Sequence, residues 1–414
     1  MPTDSEFLVF IESNTTTGRL FASRARFYGY KPIVFSNAIE KFAYLKEDNI
    51  EARQVDTSSS HAIQTELAAL KKCGTIRGIG TSTDWGILEA ALAAQALGLP
   101  GPDPEIIRLC RDKAAQRALL KRKAKDDVHQ ITCRTAQNCY EAAQRIGKPV
   151  VVKPVAAAGS IGVRYCTSPS DALEHANTLL SLPLDMRRKD EFLVEEAILG
   201  PQFSLEIFNG ALIGIVRQHY GNLPFFVASG HDFPAQVSIK VLDKLENFAS
   251  MIIKEFRLTW GPVHVEVRLN QETDQIVLIE VNPRLAGAYV PELIRYTCGI
   301  DLIDLTIRNY LGLTIDPISS RTSSFHGVMR FFMTKESSGI IPSKNSNPEL
   351  SPLVKESVLY IAPGTELKKA NDYRDRYGHV IAVASTYDEA EEAANKLVSQ
   401  QNISTLRTLQ LEGK

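Results

Sequence analysis

Several kinds of protein are excluded by what this sequence lacks. Its 47 Lys and Arg against 48 Asp and Glu give a formal net charge of −1, so the basic excess of a nucleic-acid footprint is missing. No apolar run approaches a membrane span. Asp4 and Glu6 precede a short apolar stretch where a secretion signal would carry a basic leader and a long apolar core. The six cysteines (Cys73, Cys110, Cys133, Cys139, Cys166, Cys298) are scattered, with no Cys-x-x-Cys and no His/Cys pair at zinc spacing. That usage predicts reduced thiols in a cytoplasmic protein. No Gly-Lys-Ser/Thr closes a Walker A loop, and Glu12 to Gly18 stands after the first strand where a Gly-x-Gly-x-x-Gly would mark a dinucleotide site. Internal repeats and low-complexity tails are also missing, and the Asn402-Ile403-Ser404 glycosylation match is read as chance.

What remains is a chain of 414 residues, 44% hydrophobic and 23% charged, ordinary for a soluble globular enzyme of two to four domains. Its most informative stretch runs from Gly261 to Asn270 and from Gln275 to Arg284. Val263, Val265, Val267, Leu269, Val277, Ile279 and Val281 fall on odd positions; His264, Glu266, Arg268, Glu280, Asn282 and Arg284 fall on even ones; Leu278, with Ile276 before it, breaks the pattern. A period of two on both sides of Asn270–Asp274 predicts a β-hairpin with one buried and one charged face. A turn near 272 or 273 sets Glu266 opposite Glu280, or one step diagonal to it. Two readings are open: a solvated sheet face, or hard oxygen ligands (Glu266, Glu280 and the Asn282 amide) for Mg²⁺, with Mn²⁺ the alternative ion. Arg284 adds positive charge beside that position.

Upstream, the short apolar strand Val150–Pro154 carries Lys153 and leads into the small-residue loop 155–162, then a second short strand, 163–166. Such a loop can be an ordinary turn. It can also bring backbone N–H groups to phosphate oxygens, with the lysine as a compact counter-charge.

Lys153 with its glycine loop, then Phe192–Gly200, then the hairpin ending Glu280-Val-Asn-Pro-Arg284 resemble, in this order, the ATP-grasp superfamily. Gly98–Pro102, Arg111-Asp112-Lys113, Gly230–Ala235 and Asn282–Gly287 are similar to the branch of L-amino-acid ligases, or dipeptide synthetases. The resemblance covers roughly residues 75–335. It implies an α/β (α+β) ATP-grasp fold: an N-terminal Rossmann-like parallel-sheet domain (1–98), a helical linker (99–128), a small lid (129–205) and a mixed-sheet C-terminal domain (206–414). It also implies ATP held by Lys113, Lys153, Gly159, Ser160, Ile161 and Gly162. Glu195 would accept from the adenine amino group, and backbone groups of Glu196 and Ile198 would read the ring edge. Where the family carries a ribose-binding Glu, this chain has Gln202, an amide that can accept a hydroxyl without charge. His231 lies in a matching motif and is the expected substrate histidine, with His219 and His264 weaker candidates.

In chain order, strands at 7–11, 32–35 and 75–79 alternate with helices at 17–28, 60–72 and 85–97, which implies a parallel sheet wrapped by helices. Asn14 to Gly18 and Gly80 to Asp84 then fall at its carboxyl rim. Their hydroxyls and Asp84 could hold an ammonium group or, the commoner job, cap helices. One helix is expected over 104–124; among its basic residues the resemblance singles out Lys113. Further expectations are a hairpin turning at Asn209-Gly210, loops at 217–222 and 229–234, helices at 235–256, 289–298 and 300–311, and a β-rich C-terminal part (strands at 325–333, 354–361 and 380–384) that ends in a helix at 387–400 and is the candidate surface of a homodimer.

The implied chemistry is ATP-dependent joining of a small-molecule carboxylate to an amine through an acyl phosphate, with Lys153, Arg284 and His231 as catalytic groups. Weighed against it are a carboxylating or purine-pathway member of the same superfamily and a catalytically silent ATP-binding scaffold.

Overall fold

The computed structural model describes residues 5–15, 17–122, 128–155, 159–182, 191–316, 318, 324–334, 338–341 and 351–411, with backbone alone for 338–340 and 401–411. Ala156 to Ala158 of the glycine loop, the end of the expected linker helix at 123 and 124, and the side chain of Asn402 lie outside the described residues.

Four strands, Ser5–Ile11, Lys31–Ser36, Glu51–Gln54 and Gly74–Gly80, pair in parallel, with Ser5–Ile11 between Lys31–Ser36 and Gly74–Gly80. Both faces are apolar because both are covered. Phe7, Val9, Ile11, Ile33 and Phe35 pack with Ile63, Leu67 and Ala90 of the helices Ser60–Leu70 and Ile87–Ala96. Leu8, Phe10 and Val34 pack on the other side with Phe21 of Gly18–Phe27 and with Ile303, Ile307 and Tyr310 of Leu302–Tyr310. A Cβ on Gly80 would sit 2.2 Å from the Tyr310 ring, so a glycine there lets the distant helix close on this sheet. The strand Glu51–Gln54 and the short helix Ala43–Glu47 were not expected; Arg53 and its neighbours are too polar to stand out as a strand.

The segment expected as a lid holds a four-stranded antiparallel sheet in the order Gln130–Cys133, Phe192–Glu196, Val150–Pro154, Arg164–Cys166. Helices Ala136–Ile146 and Pro169–Ser181 pack with its strands in one apolar cluster. Ser168 and Asp171 form a capping box at the second helix.

The third sheet has eight antiparallel strands, in the order Ile276–Asn282, Pro262–Leu269, Gln202–Phe208, Ala211–Tyr220, Ala228–Phe233, His326–Met333, Arg376–Ala384, Val354–Leu359. Phe203, Leu205, Ile207, Val263, Val265 and Val267 bury one face against Ile239–Phe256. Farther along, Val290–Cys298 covers the opposite face and Tyr387–Leu411 the first. Gln202–Phe208 lies wholly in this sheet, so the lid's last strand ends at Glu196.

Three expectations are corrected here. The single helix at 104–124 is two, Pro104–Arg111 and Lys113–Arg122, broken at Asp112 (φ −106°, ψ 100°), whose carboxylate accepts from Ala115 N–H at 2.9 Å. The expected loops at 217–222 and 229–234 are largely strand; their polar side chains find partners inside the sheet, which composition alone does not reveal. The hairpin is bulged between Glu266/Glu280 and Val267/Leu278, so Leu278 and Val281 turn into the core and Ile279 is the extra residue. The break in alternation at Leu278 was that bulge.

Candidate active site

Register brings the site together on one face of the eight-stranded sheet. Glu266 stands directly opposite Glu280; His264 stands opposite Asn282 on one side and Glu206 on the other. Lys113 reaches Glu280 Oε2 with Nζ at 2.9 Å, and Asn282 Nδ2 donates to Glu280 Oε1 at 2.8 Å. Burial would raise the Glu280 pKa, but Lys113, Asn282 and Lys153 outweigh it and hold the carboxyl well below the usual range. Lys113 points here because Gln116, one turn on, is tied into the hairpin: its Oε1 accepts from Val281 N–H at 3.0 Å, and its Nε2 donates to Cys110 O at 2.5 Å.

Glu266 is held at both oxygens. His264 Nε2 lies 3.2 Å from Oε1, and Gln202 Nε2 donates to Oε2 at 3.0 Å. His264 Nδ1 meets Glu206 Oε1 at 2.8 Å, and Ser204 Oγ donates to that same oxygen at 2.7 Å. Burial alone would lower the His264 pKa; Glu206 and Glu266 reverse this and push it up to about 10, making the ring an imidazolium between two carboxylates.

From the lid, Lys153 Nζ contacts Glu195 Oε1 at 2.6 Å, with Arg117 4.0 Å from Oε2. Burial opposes ionisation of Glu195, but Lys153 and Arg117 prevail and lower its pKa. Glu195 Oε2 is buried without a hydrogen-bond partner among the described residues, a place where an amino group would be satisfied. The Glu196 N–H donates to His129 O at 2.8 Å, its carboxylate pairs with Lys148, and Ile198 O accepts from Arg268 at 2.7 Å. In the glycine loop, Gly159, Ser160 and Gly162 have φ of 68°, 61° and 68°. Ile161 is half-buried, and His175 Nε2 lies 2.8 Å from Gly162 O.

Arg284 Nε donates to Asp84 Oδ1, and its Nη1 to Leu285 O at 2.7 Å. Of the rim residues weighed as caps, Asn14 accepts from the N–H groups of Thr17 and Gly18, and Thr81 Oγ1 accepts from Thr83 N–H at 3.2 Å. Asp84 caps no helix; its Oδ1 accepts from Arg284.

His231 is in a strand, not a loop, with its side chain on the same face as Gln218 and Gln202. It is 3% exposed, edge-on to Phe331 at 5.7 Å, and neither ring nitrogen has a partner among the described residues. Burial and Arg376 push its pKa down to about 3, so it is neutral. The structure does not bring it into contact with Arg284 or the paired carboxylates. His219 is bound to Asp232 at 2.5 Å, in a cluster with Arg330, Tyr387 and Glu391.

Among the described residues, no three His, Cys, Asp or Glu form a metal cage. Two facing carboxylates and an amide are instead the donor set of an ion that keeps most of its shell for water and phosphate, which fits Mg²⁺. Sequence reading missed Glu206, Arg117, Tyr220 and the Asp84–Arg284 pair. The alternation of Gln202, Ser204 and Glu206 with Phe203, Leu205 and Ile207 was the available signal for Glu206.

An ATP-grasp domain family matches residues 146–292, and the family of L-amino acid ligase C-terminal domain 2 matches 347–405. A Sinorhizobium fredii protein, "Uncharacterized protein y4rH", is 30% identical over 391 residues, covering 94% of this chain and 81% of its own. The chain belongs to the ATP-grasp family. Carbamoyl phosphate synthase large chain of Kocuria rhizophila is 22% identical over 283 residues; the match spans 65% of this ATP-grasp chain but only 25% of that much longer protein. The L-amino acid ligase from Bacillus licheniformis shares the fold end to end, with a TM-score of 0.77, 19% identity, and coverage of 97% of this chain and 98% of that one. Among the described residues, no helix of this ATP-grasp protein is long and apolar enough to cross a membrane.

Proposed function

We propose that this ATP-grasp protein is a carboxylate–amine ligase that joins an amino-acid carboxylate to an amine, a second amino acid, with release of ADP and phosphate. The observation that carries this reading is the opposition of Glu266 and Glu280 on adjacent strands, with Lys113 on one of them and Arg284 two residues past the second strand. A carboxylate is a poor electrophile because it is anionic and its oxygen is a poor leaving group. Its oxygen attacks the γ-phosphorus of ATP, the bond to the ADP oxygen breaks, and an acyl phosphate results. The amine then attacks the acyl carbon, phosphate departs with the electron pair of the C–O bond, and the amine proton passes to the departing phosphate.

Each residue has a task in this scheme. Glu195, Glu196 and Ile198 receive the adenine. Lys153, Lys113 and the N–H groups of Gly159 to Gly162 hold the phosphates. Arg284, fixed by Asp84, faces the oxygen that gains charge as the amine adds. His231, neutral and without a hydrogen-bond partner among the described residues, can donate to a substrate once the site fills. Glu266, Glu280 and Asn282 would hold Mg²⁺, which supplies charge neutralisation for in-line transfer.

The test is phosphate release from Mg·ATP over a panel of amino acids offered singly and in pairs. Release that requires two partners supports ligation; release with one alone points to a kinase or hydrolase, and none at all to a silent nucleotide-binding protein.

A further inference from the structure

Gln202 occupies the position where the family pattern has a ribose-binding glutamate, and its surroundings give it a different job. It is 4% exposed, and every polar atom of its amide is engaged. Its Nε2, with two N–H groups, has three oxygens in reach, Glu266 Oε2 at 3.0 Å, Tyr220 Oη at 2.6 Å and Gln218 Oε1 at 2.8 Å; its Oε1 accepts from Arg268. The amide sits this way round because Arg268 has nothing but donors and the Glu266 carboxylate offers acceptors. Tyr220 spends its own proton on Gln218 Oε1 at 3.0 Å, so its oxygen is free to accept.

A glutamate at 202 would still find Arg268, but it would turn an acceptor toward Glu266. The donor would be replaced by a like charge. At the other oxygen of Glu266 stands His264, itself braced by Glu206 and Ser204 through contacts of 2.8 and 2.7 Å. Three strands therefore converge on one carboxylate: Gln202, Ser204 and Glu206 from one, His264 and Glu266 from the next, and Glu280 opposite from the third.

We propose that Gln202 and His264 are positioning residues that fix the Glu266 carboxylate from its two oxygens for the metal, and that Gln202 is not a ribose ligand. This rests on the ATP-ligase reading, and it concerns a residue where this chain departs from the family pattern. Partners of this kind behind a metal-binding carboxylate are worth 10- to 100-fold in metal affinity. The ribose reading makes the opposite prediction, since Gln202→Glu would restore a charged ribose acceptor and tighten nucleotide.

The experiment is calorimetric titration of the full chain with ADP and with 2′-deoxy-ADP across a Mg²⁺ series, for wild type, Gln202→Glu, Gln202→Met and His264→Asn. Thermal melts serve as folding controls; Gln202→Glu keeps a partner in Arg268. Expected is a rise of about tenfold or more in the Mg²⁺ concentration that half-saturates ADP binding in Gln202→Glu, with smaller rises in Gln202→Met and His264→Asn. The ratio of ADP to 2′-deoxy-ADP affinity should be the same in wild type and Gln202→Met. Tighter Mg·ADP binding by Gln202→Glu, or loss of a wild-type preference for ADP over 2′-deoxy-ADP in Gln202→Met, overturns the inference and leaves the ligase reading standing. Failure of the wild type itself to bind Mg·ADP removes both.

Discussion

Lys113 and Glu280 meet at 2.9 Å where the linker abuts the hairpin. The lysine arrives as the first residue of a helix restarted at Asp112, and without it Glu280 would face Glu266 with less compensating charge. Replacing Glu280 by Gln keeps the Asn282 contact and the shape but removes the anion that would hold Mg²⁺. Turnover should fall by about two orders of magnitude or more, while the melting temperature stays within a few degrees of wild type. Turnover near the wild-type rate would remove Glu280 from the site.

Asp84 and Arg284 lie 200 positions apart in sequence, and their bond ties the N-terminal sheet's rim to the end of the hairpin. Asp84→Asn frees the guanidinium to adopt other rotamers without removing it. We expect kcat to drop by about 10- to 100-fold, with the KM for ATP little changed, because Arg284 acts on charge that develops late. A change in ATP KM alone, measured by steady-state kinetics, would reassign the pair to nucleotide binding.

Glu292, in the first turn of Val290–Cys298, is 5% exposed and has one carboxyl oxygen unpartnered among the described residues. Burial raises its pKa from 4.5 to about 7, with Glu356 adding to the rise. The folded state therefore favours the protonated acid, while the unfolded chain ionises near its ordinary value. Stability contributed at low pH is lost as pH climbs from about 4.5 through 7, and the deficit above that is on the order of 3 kcal/mol. Glu292→Gln should melt higher than wild type at pH 8 and close to it at pH 4.5. Equal melting temperatures at both pH values would show that the carboxyl ionises freely.

Gly200 joins the lid's exit to the eight-stranded sheet with φ at 132°, and a Cβ there would meet Leu269 O at 2.1 Å. Gly200→Ala combines backbone strain with a clash against backbone that cannot turn aside. A loss of about 2–4 kcal/mol in chemical denaturation is expected; a neutral substitution would mean that the segment shifts as a unit.

Much of the molecule was legible because its chemistry is periodic. Alternation exposed the Glu266–Glu280 hairpin, and apolar runs exposed the parallel sheet buried on both faces. The Asn209-Gly210 turn was found because its two residues take φ of 47° and 77°. The sequence concealed whatever depended on distant partners. Gln218 and His219 look like loop residues until Gln202 and Asp232 are seen across from them. The break at Asp112 carries no Gly or Pro; it is marked by Asp112 Oδ1 accepting from Ala115 N–H, with Gln116 bound to Val281 one turn on. Asp84 offered two local roles, and its bond to Arg284 adds a partner no local pattern could supply.

The extra residue in the second hairpin strand carries a consequence for how this protein can vary. Glu280 meets Glu266 while Leu278 and Val281 enter the core, with Ile279 inserted between the paired positions. Deleting Ile279 would leave Glu266 opposite Glu280 and Val267 opposite Leu278 in an unbroken ladder, removing only the extra residue and the local bend and twist that a bulge imposes. A relative that had lost that residue could keep both glutamates and both core residues, but would present its carboxylates from a straighter strand.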